Sequence, residues 1–196
     1  MNIYRLHKYD PKYRDQAGYY TRDEWTCFSE VGRTYSGERF TLEDYVHVED
    51  NYVKAIELTM RDQGSSELKV YADGIVLRKK DFLKSRLLGI ELSDAMSFHH
   101  GDWISGKRIA LFCRLSLRNL CGYALTDERG FLIAFSDEYY VHLGGAPIGD
   151  FVIRKIEKLG LFVEFKGKLG DKNLDNERYL KLLPHAPNEA ESNGIG

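Results

Sequence analysis

Cysteine is scarce in this chain of 196 residues, with three in all: Cys27, Cys113 and Cys121. An odd number, at spacings unlike a disulfide framework or a zinc pair, excludes a cystine-stapled scaffold and agrees with a reducing compartment. Long apolar runs are missing too. None exceeds the length of residues 109–113, far short of the roughly 20 residues a membrane helix needs. The opening Met1-Asn2-Ile3-Tyr4-Arg5 has no apolar h-region, so no secretion signal is expected and the cytoplasm is the expected location. A bulk excess of one charge is also absent: the net charge is −2, divided as −3 over residues 1–63, +4 over 64–120 and −3 over 121–196. The middle basicity, mostly Arg78, Lys79, Lys80, Lys84 and Arg86, is below that of a dedicated nucleic-acid-binding domain. Neither a membrane nor a nucleic acid is therefore an expected partner. No glycine cluster matches a phosphate cradle, since Gly144-Gly145, Gly167 and Gly170 read as turns, and no cofactor is expected.

What the chain does have is a stretch, residues 7–40, without helical or strand period yet rich in large rings: Tyr9, Tyr13, Tyr19, Tyr20, Trp25, Phe28 and Tyr35. Unstructured loops of that length are uncommon in compact domains and are either functional or disordered. Disordered segments are poor in aromatics, so this loop is expected to be ordered. Arg5, Arg14, Arg22 and Arg33 are interleaved with the rings, and Tyr, Trp and Arg carry most of the energy in protein interfaces. Binding is the function this composition points to.

After the loop, Thr41 is placed to cap a helix with Asp44 as its reciprocal partner and Phe40 and Tyr45 as a hydrophobic staple. Tyr45, Val48 or Glu49, Tyr52, Ile56 and Met60 follow at helical spacing up to a stop at Gly64. Strands are predicted at 2–6 and 68–72, a weak helix over 75–88, a turn of helix capped by Ser93, and a second clear helix over 107–120 with Ile109, Phe112, Cys113, Leu117 and Leu120 on its apolar face. The last third changes to a three-stranded meander (123–126, 131–135, 139–143), a helix over 151–159 and a strand over 161–165. The pattern predicts an α+β fold, an antiparallel sheet with two or three longer helices on it and a long ordered N-terminal loop. A single domain is expected over 1–165, followed by a polar extension, 166–196, whose last residues are disordered.

Chemical constellations are few. His99-His100 with Asp102 is the most metal-like, but adjacent histidines point apart and no fourth ligand accompanies them; a polar turn before Trp103 is the plainer reading and no metal is expected. Cys113 lies on an apolar helix face, Cys121 follows that helix, and Cys27 has acidic neighbours that disfavour a thiolate, so no cysteine nucleophile is assigned. In Asp137-Glu138-Tyr139-Tyr140, a hairpin connection with Tyr140 in the core and Tyr139 on the other face is expected. No residue receives a catalytic role.

Tyr9-Asp10-Pro11, Tyr13-Arg14-Asp15, Gly18, Tyr20, Asp23-Glu24-Trp25-Thr26, Ser29 and Gly32, continuing into Thr41-Leu42-Glu43-Asp44-Tyr45, resemble an uncharacterised family of small bacterial cytosolic proteins; a weaker likeness returns at Asp137 to Tyr140 and Gly160-Leu161-Phe162-Val163. Small α+β proteins of this type look like immunity proteins of bacterial toxin–antitoxin systems, which plug a toxin's active site. The resemblance implies a stoichiometric protein-binding module whose partner is another protein, a basic toxin domain being the kind that fits. The expected interface is Tyr13, Arg14, Tyr19, Tyr20, Arg22 and Trp25 of the loop with Glu43, Asp44, Glu49 and Asp50 of the first helix. The alternative is a small enzyme or nucleotide-handling protein with a carboxylate/histidine site, drawing on His99, His100 or His142, between the loop and the sheet.

Overall fold

A computed structural model describes residues 1–71, 93, 97–120, 124–172 and 174. The predicted helix at 75–88, Cys121 and the tail beyond 174 lie outside the described residues, and of the turn expected at Ser93 only Ser93 itself is described, as helical. Among the described residues the fold is α+β: a seven-stranded antiparallel sheet with three helices.

The first strand, β1 (Asn2–His7), alternates faces, with Tyr4 and Leu6 toward the main core and Ile3, Arg5 and His7 toward the other side. Residues 8–40 are not structureless throughout. They contain short 3-10 turns at Pro11–Tyr13 and Phe28–Glu30 and a two-stranded hairpin, β2 (Thr34–Tyr35) with β3 (Glu38–Arg39). Its two central residues, Ser36 and Gly37, both have positive φ, the conformation tight hairpins select and periodicity does not reveal. Trp25 stacks on Phe40 with centroids 4.4 Å apart, and Phe28 meets Tyr45 edge-on at 4.8 Å.

Helix α1 (Leu42–Asp62) begins where its cap predicts: Asp44 N donates to Thr41 Oγ1 at 3.2 Å and Thr41 N donates to the Asp44 carboxylate at 2.9 Å. Strand β4 (Glu67–Tyr71) follows, then the polar turn expected before Trp103, where Asp102 N donates to the His99 carbonyl at 3.1 Å, and then β5 (Trp103–Ser105), a strand that was not expected. Helix α2 (Lys107–Leu117) buries Ile109, Phe112, Cys113 and Leu117 as its spacing predicts, and Asn119 in the left-handed region follows its end. The meander is β6 (Ala124–Thr126), β7 (Leu132–Ser136) and β8 (Tyr140–Gly145), followed by α3 (Asp150–Glu157) and β9 (Phe162–Lys168).

Strand order is β5-β4-β6-β7-β8-β1-β9, so the first strand enters between two strands from the last third of the chain. Leu6, Val70, Leu125, Ile133, Val141 and Leu143 share the main core with apolar residues of α1, α2 and α3. The opposite face is buried as well, at Ile3, Leu132, Ala134 and His142. The folded region passes the expected boundary at 165, because β9 runs to Lys168 and Leu174 packs on Ile3.

One turn reverses an expectation. Glu138 and Tyr139 both sit at positive φ (59° and 63°), so the chain rolls between β7 and β8 and buries Tyr139, leaving Tyr140 half-buried on the other face. Such backbone is costly for side-chain-bearing residues and persists only where surroundings hold it. Here Tyr9 Oη donates to the Glu138 carbonyl and Tyr52 Oη to that of Tyr139, each at 2.7 Å.

Candidate binding surface

The loop between Tyr13 and Thr21 is a miniature hairpin. Thr21 donates to the Tyr13 carbonyl through its backbone N–H (3.0 Å) and hydroxyl (2.7 Å), Arg14 bridges to Tyr20, and Asp15 N donates to the Tyr19 carbonyl at 2.9 Å. The Asp15 carboxylate accepts from the N–H of Ala17 (3.0 Å) and of Tyr19 (2.8 Å), an Asx turn that folds the tip back on itself. Gly18, at φ 87°, makes the left-handed step. Its carbonyl accepts from Arg14 Nη1 at 3.1 Å. Tyr19 emerges from this internally bonded tip 73% exposed.

The base of the hairpin is tied down twice. On one side Tyr20 Oη donates to Glu24 at 2.6 Å, and Glu24 pairs with Lys8, whose ammonium lies 4.3 Å from the centres of both the Tyr9 and Trp25 rings. Burial pushes the Lys8 ammonium below its ordinary pKa against the opposing charge of Glu24, and pushes the Tyr9 and Tyr20 phenols up. On the other side Arg14 reaches the sheet, its Nη2 3.1 Å from Glu164 of β9. Glu164 also accepts from Arg5 Nη2 at 2.6 Å and lies 3.2 Å from His7 Nε2. Burial works against the Glu164 carboxylate, but the Arg5 hydrogen bond and the Arg5 and Arg14 charges hold it below the usual range. His7 is fully buried, which lowers its pKa to about 4 despite Glu164, so its ring is neutral at pH 7.

The predicted interface residues thus separate into groups. Tyr19 and Arg22 are exposed; Arg22 lies over the Tyr13 ring at 4.3 Å, and Tyr13 meets Tyr20 edge-on at 6.5 Å. Arg14 and Tyr20 are supports, and Trp25 is half-buried against the core. On α1, Glu43 and Asp50 flank Leu42, Val46 and His47 around a shallow open groove of about 550 Å³. Asp44 faces solvent but serves Thr41 as the helix cap.

Glu49 does not belong to an acidic face. It is fully buried, accepting from Arg118 twice at 2.6 Å, from Arg114 at 2.8 Å and from Tyr45 Oη at 3.0 Å. It falls on the buried stripe with Tyr45, Tyr52 and Ile56, a position the helical spacing itself marks. Sequence reasoning also missed Lys8, Glu24 and Glu164; of these only Glu24, four residues beyond Tyr20, leaves a local trace.

The histidines of the alternative reading do not converge. His99 pairs with Asp102 at 3.4 Å in an exposed turn, and His100 meets Tyr71 at the end of β4. His142 sits on β8, three strands and about 14 Å from β4 at the usual strand spacing. Among the described residues no group of three or more His, Cys, Asp or Glu is placed to hold a metal ion, and no helix is long and apolar enough to cross a membrane.

No family model, curated protein or solved structure matches the chain.

Proposed function

We propose that this chain is a stoichiometric protein-binding module which acts by occupying a partner, in the manner of an immunity protein blocking a toxin. The observation that carries the reading is Tyr19, a large ring held out in solvent on a hairpin folded by its own hydrogen bonds, with Arg14 of its base 3.1 Å from Glu164. A pre-ordered aromatic anchor avoids much of the entropy lost when side chains are immobilised on binding, which is what distinguishes interface hot spots from ordinary exposed rings. Arg22 beside it supplies charge-assisted donors. The groove on α1, apolar at Leu42 and Val46 with Glu43 and the Arg114-paired Asp50 at its edges, suits a basic partner such as a nuclease domain, with Glu43 supplying the charge that steers its approach.

A photo-crosslinking residue at position 19 tests this directly. The expected result is one dominant crosslinked protein, released faster by Tyr19→Ala at an unchanged melting temperature, with Glu43→Lys slowing association mainly at low salt. Inhibition of that protein's activity at a one-to-one ratio establishes the immunity form. Turnover of a small molecule by the purified chain, abolished by a single carboxylate or histidine substitution that leaves folding intact, refutes it.

The enzyme reading retains one observation: a carboxylate and a histidine, Glu164 and His7, do meet where the N-terminal loop crosses the sheet. His7 lies between the Tyr9 and Phe162 rings, with centroids 6.2 and 6.0 Å away, and the neutral ring is shielded from solvent there. A proton relay needs an approach for substrate, so Glu164→Gln is the variant that decides this reading.

A further inference from the structure

At the opposite end of the sheet from the Tyr19 hairpin, β5 carries a tryptophan that the fold leaves 45% exposed. The register pairs Leu68 with Ile104 in the core, so Trp103 and its neighbour across the ladder, Lys69, project from the other face together with Glu67. Glu67 and Trp103 are diagonal neighbours in this ladder, roughly 7–8 Å apart and within reach of an aromatic and a long side chain. They border a hollow of about 360 Å³, closed on its other side by Ser65, Ser66 and the turn at 127–129 between β6 and β7.

The charges around this hollow do not balance. Glu67, at the start of β4, and Glu128, in the turn after β6, are both exposed and both line this hollow. Among the described residues neither has an ion-pair partner. Of the neighbouring cations, Arg129, which also lines the hollow, donates to the Gly64 carbonyl and lies 3.4 Å from Asp127, and the Lys69 ammonium is 5.9 Å from the Tyr71 ring. Asp127 in turn is occupied by the N–H groups of Arg129 and Phe131. Two carboxylates bordering one hollow repel each other, and a cation between them relieves that repulsion. Tryptophan offers the aromatic face most attractive to a cation, and two carboxylates flanking an indole form a site for a group that is apolar along its stem and positive at its tip.

We infer that the Trp103 hollow binds an organic cation, an alkylammonium or guanidinium group, with the stem along the indole and the charge between Glu67 and Glu128. The site is separate from the surface under Proposed function, and either can fail without the other. One chemistry has two sources here, a lysine or arginine side chain of a protein and a free polyamine.

The test follows the two tryptophan indole N–H resonances of uniformly ¹⁵N-labelled full-length protein, assigned with Trp103→Phe. Nα-acetyl-lysine methylamide, putrescine and the uncharged norleucine analogue are titrated separately. The expected result is a saturable shift of the Trp103 resonance by the two cations and none by norleucine, weakened at least tenfold by Glu67→Gln with Glu128→Gln and reduced by added salt. The Trp25 resonance reports that the double variant is folded. Tighter binding of a trilysine peptide than of putrescine identifies a protein as the source, and the reverse identifies a free amine. No saturable shift with any cation, an equal response to norleucine, or full binding by the double variant overturns the inference.

Discussion

Replacing Glu49 with alanine separates a structural carboxylate from a surface one. In the fold Glu49 joins α1 to α2, and its side chain and that of Arg118 are 0% and 3% exposed. Removing the carboxylate leaves the Arg118 guanidinium buried without a counter-charge, Arg114 with only Asp50, and the Tyr45 hydroxyl without its acceptor. Breaking a buried pair from one side costs about 3–5 kcal/mol because the remaining charge stays desolvated. For a chain of this size 1 kcal/mol moves the melting temperature by about 2–4 °C, so Glu49→Ala should lower it by roughly 6–20 °C. Differential scanning calorimetry measures this, and chemical denaturation should show a lower midpoint at unchanged slope. Adding Arg118→Met to Glu49→Leu should recover much of the loss, since the unpaired charge goes with its partner. A change below about 1 kcal/mol for Glu49→Ala, the value of an exposed pair, refutes the reasoning and returns Glu49 to the solvated face.

Stability should fall on acidification between pH 6.5 and about 4. His7 has its pKa lowered to about 4 in the native state, so the unfolded chain binds the extra proton across that window, and its contribution reaches roughly 3 kcal/mol at most; His7→Gln should flatten the slope of melting temperature against pH there. Glu164, also held below its ordinary value, loses its contribution in the same direction at the lower end. Glu138→Gly should stabilise by about 1 kcal/mol in equilibrium denaturation, because glycine adopts φ 59° without the clash a Cβ makes. Trp25→Ala should cost about 3 kcal/mol, the low end for a tryptophan, since the ring is only half-buried on Phe40 and Tyr139; a shift under 1 kcal/mol would mark it as a surface anchor.

Helix α1 was legible because every signal for it is local: the Thr41–Asp44 box, the Phe40–Tyr45 staple and the 45, 52, 56, 60 stripe act within a few residues of one another. The meander and α3 were legible for the same reason, to within one or two residues at most ends. Strand β5 was not, since three residues show no period and its pairing with β4 spans the intervening chain. The inversion of Tyr139 and Tyr140 came from two left-handed residues, neither glycine, which alternation cannot anticipate. In the candidate surface, Tyr19 and Arg22 were readable as residue types. Their support was not, because Arg14 and Glu164 are 150 positions apart and meet only once β1 and β9 pair.

The place of β1 in the sheet has a consequence for how the chain is made. Both its neighbours lie far downstream: Leu6 pairs with Val141 on one side and with Val163 on the other. At ribosomal rates of about 5–20 residues per second, the first strand emerges and then waits roughly 8–30 s for β9. During that interval its backbone donors and acceptors, and the apolar Ile3, Tyr4 and Leu6, have no native partner. The aromatic loop that follows can collapse around Trp25, Phe28 and Phe40 at once, since those contacts are local to it and to α1. Nascent chains stalled near residue 150 should therefore be the most prone to chaperone capture, and release should come as residues 162–168 clear the exit tunnel and close the sheet around β1.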